Sequence, residues 1–254
     1  MLKIVLLDEN LMETFWHHVN QNQVDYHFFI FDVKNNPDKT KVWLALEGEN
    51  VVGMLLVYRD CIVQLRGSHD VVKALLEKID LREVELQAPL DCEDLVLAKF
   101  IPKMKHRMIQ MTLKRGEERN QITTEPESLD VGNAEEMVEL LRRAFPDWWS
   151  DADVERFRST MTELVNMGIR HDGKLVSVGI ARLTGYASNI NTVATDERYR
   201  NRGYATSIVC TLAKKILENS EVAMIHVLED NAPAVKAYTK AGYKPHETYL
   251  LIRT

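Results

Sequence analysis

Val193-Ala-Thr-Asp-Glu-Arg-Tyr-Arg-Asn-Arg-Gly-Tyr-Ala205 is the stretch on which the reading of this chain turns. Ahead of it, Asn189 to Thr195 has the composition of a β-strand. Behind it, Thr206 to Glu218 carries Ile208, Val209, Leu212, Ala213, Ile216 and Leu217 at helical spacing. A strand, a polar loop and a helix start therefore follow one another. Such a loop aims unbonded backbone N–H groups and the positive end of a helix dipole at one point, which is how a chain holds an anion. Gly203 lets the backbone come close to what is held, and the small side chains of Ala205, Thr206 and Ser207 keep the approach open. Arg200 to Ala205 thus has the form Arg-x-x-Gly-x-Ala and is expected to cradle a pyrophosphate.

These residues resemble the signature of the GNAT superfamily of acyl-CoA-dependent N-acyltransferases, Arg or Gln-x-x-Gly-x-Gly or Ala between the fourth strand and the next helix. Tyr199 precedes the arginine as in the family, although Asn201 stands where the family most often has glycine. Further on, Asn231-Ala-Pro-Ala234-Val-Lys-Ala-Tyr238-Thr-Lys-Ala-Gly242-Tyr243 is similar to the family's second signature, Asn-x-x-Ala-x-x-x-Tyr-x-x-x-Gly-Phe. The two stretches occur in the family's order and spacing.

Composition agrees and excludes some classes. With 254 residues, 45% of them hydrophobic, the chain can bury one large core or two ordinary ones. The 32 Lys and Arg stand against 38 Asp and Glu, a formal charge of −6, so no bulk basic field argues for nucleic acid. Cys61, Cys92 and Cys210 lie far apart without Cys-x-x-Cys or Cys/His spacing, and are expected to be reduced core thiols. The apolar run before Asp8 is too short for a signal peptide or a membrane span, so a cytoplasmic protein is expected.

Along the chain, Asn10 to Asn20 places Leu11, Phe15, Trp16 and Val19 on one helical face, with Asp8 or Asn10 as cap. His17 and His18 lie in it, but neighbours on a helix point apart and make a poor metal site. Three strands are predicted over Lys41 to Leu46, Val51 to Tyr58 and Asp60 to Leu65, then a glycine at Gly67 and a helix over Val71 to Ile79. A strand over Glu83 to Ala88, a helix over Cys92 to Phe100 and a strand over Met108 to Lys114 follow. This repeats the order of the C-terminal half, an internal repeat of architecture more than of sequence. The first half has no Arg-x-x-Gly-x-Gly after Gly67 and no Asn-to-Tyr helix, so no cofactor role is carried onto it.

The second half begins with the polar, charged stretch 116–127, which reads as a linker. Helices are predicted over Val131 to Ala144, ended by Pro146, and over Asp151 to Thr162. A hairpin turning at His171-Asp-Gly173 follows, in which His171 is expected to be an exposed turn residue. Strands over Val222 to Leu228 and Thr248 to Arg253 flank the Asn231 to Ala241 helix.

The resemblance implies an α/β (α+β) fold of two GNAT-like domains, each a mixed, mostly antiparallel sheet flanked by helices. The division expected is a degenerate copy over 1–115, a linker over 116–127 and a catalytic domain over 128–254. It implies an N-acetyltransferase that moves an acetyl or other acyl group from acetyl-CoA to an amine acceptor, with no metal, no nucleic acid and no membrane, as monomer or homodimer. By the same resemblance the backbone of Val193 and Thr195 faces the pantetheine arm, and the amides of Arg202, Gly203, Tyr204, Ala205 and Thr206 hold the pyrophosphate. Arg200 and Arg202 are equally suited to touch phosphate, to pair with Asp196 and Glu197, or to stay solvated. Asn231 matches the residue that bonds the pantetheine or its neighbouring chain, and Tyr238 the acid that protonates the departing thiolate. Phe145, Trp148 and Trp149 are candidates to line the acceptor cleft, or else to cap the core between two helices. For the base, Glu229 and His226 both come from one strand region, and their odd spacing lets only one face the cleft. The other class of function left open is a CoA-binding or sensing module without turnover.

Overall fold

A computed structural model describes all residues, Met1–Thr254. Its elements, in order, are β1 (Leu2–Leu6), α1 (Met12–Gln21), α2 (His27–Asn35), β2 (Thr40–Glu47), β3 (Asn50–Tyr58), β4 (Ile62–Gly67), α3 (His69–Leu76), β5 (Glu85–Pro89), α4 (Glu93–Lys99) and β6 (Met104–Lys114). Then come β7 (Glu127–Ser128), α5 (Ala134–Ala144), α6 (Pro146–Trp149), α7 (Val154–Met161), β8 (Val165–His171), β9 (Lys174–Arg182), β10 (Ser188–Thr195), α8 (Tyr204–Leu217), β11 (Val222–Leu228), α9 (Ala232–Ala241) and β12 (Lys244–Arg253). No helix is long and apolar enough to cross a membrane.

The chain forms two compact units, and they do not follow the division expected at 116–127. One holds Met1–Ile109, Leu228–Asp230 and Glu247–Thr254; the other holds Gln110–Val227 and Asn231–His246. The reason is strand pairing. The end of β12 adds to the first unit by antiparallel pairing with β5, Leu250 opposite Ala88 and Leu251 opposite Gln87. Leu250 and Ile252 accordingly sit in the core beneath α3 and α4, with Leu65, Val72, Leu75, Leu86 and Val96.

In the first unit the strand order is β1-β2-β3-β4-β5-β12. All neighbours are antiparallel except β4 and β5, which α3 connects as a parallel pair. Helix α3 seats on β3 because Gly53 has no side chain there. A Cβ on Gly53 would stand 2.4 Å from Val71 Cγ1. The second unit repeats the device. In the order β11-β10-β9-β8-β7 the pair β10/β11 is parallel, and α8 seats on β9 at Gly179, whose Cβ would stand 2.2 Å from Ile208 Cγ2. The architectural repeat therefore extends to the glycine that admits the crossover helix.

Some expectations are corrected. Helix α2 was not legible: Phe28, Phe29, Ile30, Phe31 and Val33 form an apolar run without helical period, and tertiary packing makes it a helix. Pro146 does not merely end a helix; it opens the short α6 at a first-turn position, where its missing N–H costs nothing. Cys61 is exposed, unlike the core thiols Cys92 and Cys210, because it lies in the turn after β3.

Asp32 on α2 is buried, and burial raises its carboxyl to about 6 against the opposing pull of Asn36 and Arg59. The folded chain thus holds this proton more tightly than the unfolded one. The stability it contributes is full below the ordinary carboxylate value of about 4 and is lost as pH rises through about 6, on the order of 2–3 kcal/mol. Asp32→Asn is expected to resist urea better than the parent at pH 7.5 and to match it near pH 4. Equal midpoints at both pH values would remove the group from the stability balance.

Candidate functional site

The second unit opens its sheet where the signature loop begins. Strands β10 and β11 pair in parallel at Ser188↔Ala223, Asn189↔Met224 and Ile190↔Ile225. The pairing of β10 with β9 then shifts between Ile190 and Thr192, a bulge that bends the strand. Beyond it Val193 and Thr195 remain held on one side only, by Gly179 and Ser177 of β9. On their other edge neither residue has a strand partner.

The loop that follows is fixed by its own capping. Asp196 is buried, accepts from Arg198 N at 3.1 Å, and lies 3.0 Å from the Arg198 guanidinium and 3.7 Å from Lys174. Its bond to Arg198 above all holds its carboxyl well down, to about 2. So Asp196 is taken by Arg198 and Lys174, not by Arg200 or Arg202. Arg200 donates to Thr195 O at 3.4 Å, and Arg202 stacks over the Tyr199 ring at 5.3 Å. Both remain exposed on the loop, outside any ion pair. Asn201 has φ +63°, a left-handed conformation that asparagine tolerates better than most residues, which accounts for its standing in a glycine position. Gly203 is the residue before α8, with φ +84°. The N–H groups of Tyr204, Ala205 and Thr206 form the first turn after it and find no acceptor within the helix.

His171 departs from expectation. It is half-buried at the end of β8, its ring against Tyr199 at 5.2 Å and its Nδ1 3.3 Å from the Tyr204 hydroxyl. The hairpin β8–β9 brings it beside the loop, a proximity with no sequence signal. It braces two of the loop's aromatic residues.

The second signature is in large part a well-capped helix. Asn231 caps α9, its side-chain oxygen accepting from Ala234 N at 3.2 Å, and Pro233 occupies the first turn. Gly242 ends the helix at φ +109°, and Tyr243 N returns to Tyr238 O at 3.1 Å. That closure folds the Tyr243 ring in near Tyr238, centroids 6.4 Å apart. Tyr238 itself is 6% exposed, and burial pushes its phenol well above the ordinary range. It stays protonated over the whole ordinary pH range and keeps a proton to donate.

Other candidates separate. Glu229 falls in the first unit with Leu228–Asp230, exposed, its N–H donating to Arg107 O at 2.9 Å and its carboxylate 3.7 Å from the Arg107 guanidinium. It and Tyr238 thus belong to different compact units. Phe145 and Trp149 pack on the core of α5 and α7, Trp149 edge-on to Phe157 at 5.6 Å, so these two cap a core. Trp148, at 38%, is the most exposed of the three.

The first unit has a comparable parting of parallel strands, paired only at Ile62↔Glu85, Val63↔Leu86 and Gln64↔Gln87. There the gap is bridged. Arg66 is buried, donates to Gln87 Oε1 at 3.0 Å across it and to Asp25 O at 3.2 Å, and stacks on Tyr249 at 4.2 Å.

Residues 166–252 match a family described as FR47-like protein. No curated protein matches the sequence. Among solved structures, the chain is similar to a GNAT-family acetyltransferase from Colwellia psychrerythraea, at 14% identity and TM-score 0.60, covering 99% of each chain. It is similar to a GCN5-related N-acetyltransferase from Sphaerobacter thermophilus, at 14% identity and TM-score 0.63, covering 100% of this chain and 95% of that one. A tandem GNAT protein from the clavulanic acid biosynthesis pathway aligns at 13% identity and TM-score 0.62 over 100% of this chain and 98% of its own.

Proposed function

The chain has the GNAT fold, and from that premise we propose that its second unit binds acyl-CoA and transfers the acyl group, in the simplest case acetyl from acetyl-CoA, to an amine. The observation that carries this is a coincidence within one unit: strands β10 and β11 part at Ile190, and the same β10 leads through Gly203 into the free amides of α8. Acyl-CoA supplies the thioester carbonyl that an amine attacks. The open backbone edge at Val193 and Thr195 suits the amide-bearing pantetheine arm. The amides of Tyr204, Ala205 and Thr206, the dipole of α8 and the unpaired Arg200 and Arg202 suit the pyrophosphate.

Tyr238 is the proton donor to the leaving sulfur in this reading. Asn231 sets α9 by capping it through its side-chain oxygen, and its side-chain NH2 is proposed to reach the pantetheine or its neighbouring chain. Trp148 is the aromatic proposed for the acceptor side. The first unit is proposed as a folded accessory without a CoA site, its strand gap being bridged by Arg66.

Titration calorimetry of the full chain with acetyl-CoA tests the binding step, and release of free thiol over a panel of amines tests the transfer. The exposed, Arg107-paired state of Glu229 favours a second reading, a CoA-binding module without turnover. Binding with no amine-dependent thiol release would establish that second reading. Absence of binding would sink both. Fragments cut near residue 115 are unsuited to the question, because the first unit needs Glu247–Thr254 for its sheet.

A further inference from the structure

The stretch that reads as a linker in sequence is fastened onto the second unit, and it ends at the anion-holding turn. Its first part is held at the C-terminal end of α9: Arg119 N donates to Ala241 O at 3.0 Å, Cys210 Sγ donates to Arg119 O at 3.3 Å, and Glu117 pairs with Lys244 at 2.9 Å. Its last part is held at the start of α8. The fully buried Ser207 Oγ receives Thr123 N at 3.0 Å and Thr124 N at 3.4 Å, and lies 3.3 Å from Thr123 Oγ1. Thr123 Oγ1 also occupies the space a side chain on Gly203 would take, 2.8 Å from the position of its Cβ.

Counting protons fixes the direction of the last of these bonds. A serine oxygen has two lone pairs, and here two backbone N–H groups use them. The remaining proton of Ser207 then donates to Thr123 Oγ1, which leaves the proton of Thr123 uncommitted. Thr123 is an exposed residue, and its hydroxyl stands beside Gly203, which shares its loop with Arg200 and Arg202.

We propose that Thr123 is a binding residue for the pyrophosphate of acyl-CoA, its hydroxyl adding a donor beside the amides of α8, and that Ser207 is the positioning residue that holds it there. This rests on the acyl-CoA reading of the second unit. A phosphate oxygen is a strong acceptor, and a hydrogen bond to a charged group is among the stronger ones available to a hydroxyl. The backbone bonds to Ser207 fix the hydroxyl in place before the ligand arrives, so little freedom is lost on binding.

The test compares two probes on the full chain, CoA and pantetheine, which lacks the pyrophosphate. Thr123→Val keeps the branched shape and removes the donor. CoA affinity is expected to fall about ten-fold, with water recovering part of the bond, while pantetheine affinity stays at the parent value and the melting temperature is unchanged. Thr123→Ser is expected to restore CoA affinity. Ser207→Ala is expected to weaken CoA binding less than Thr123→Val, because the Arg119 and Glu117 contacts still hold the stretch. Unchanged CoA affinity in Thr123→Val would overturn the proposal. So would tighter binding, which would mean that the stretch obstructs the site, or an equal loss for both probes. Failure of the parent chain to bind CoA would overturn the acyl-CoA reading and this proposal with it, whereas parent binding with an indifferent Thr123 overturns this proposal alone.

Discussion

Tyr238→Phe is expected to bind acetyl-CoA as the parent does and to lose about ten- to a thousandfold in maximal rate, the range for removing a general acid with partial rescue by water. The substitution keeps the ring, which is 6% exposed and packed near Tyr243, so the melting temperature should hold. The pH profile sharpens the test. Burial raises the phenol well above its ordinary range, so the neutral, donating form persists through every pH at which the rate can be measured. Any alkaline limb in the parent must then come from another group, and it should remain in Tyr238→Phe with only the plateau lowered. Turnover at the parent rate would assign the proton to water or another residue and leave the fold and binding site as described.

Gly203→Val is expected to abolish measurable CoA binding, a loss of at least a hundredfold, and also to destabilise the second unit. The close backbone approach that Gly203 permits accounts for the first effect, and its left-handed backbone for the second. At φ +84° a β-branched residue pays about 1–3 kcal/mol, and its Cβ would press on Thr123 Oγ1 at 2.8 Å. A cost of about 2 kcal/mol lowers the melting temperature of a chain this size by roughly 4–8 °C. Gly203→Asn separates the two effects, because asparagine tolerates the left-handed region. It should melt closer to the parent while still displacing Thr123 and weakening CoA. Parent-like affinity in both variants would remove the loop from the cofactor site.

Much of this protein is written locally. The strand, loop and helix around Gly203 are legible because each depends on neighbours in sequence: apolar period for α8, left-handed tolerance at Asn201 and Gly203, capping by Asn231 and Gly242 for α9. The order of elements in each half is legible for the same reason, and with it the fold. Tertiary structure decided what depends on residues far apart in sequence. It gave β12 to the first unit, since the partner of Leu250 is Ala88 and no local pattern names a strand's partner. It made α2 a helix from an aperiodic apolar run, set His171 against Tyr199 and Tyr204, and put Glu229 with Arg107 rather than in the unit of Tyr238. It also turned a polar stretch of linker composition into an ordered edge of the candidate site. Composition registers only that such a stretch buries little apolar surface; Ser207, 84 residues from Thr123 and fully buried, supplies the hydrogen bonds that place it.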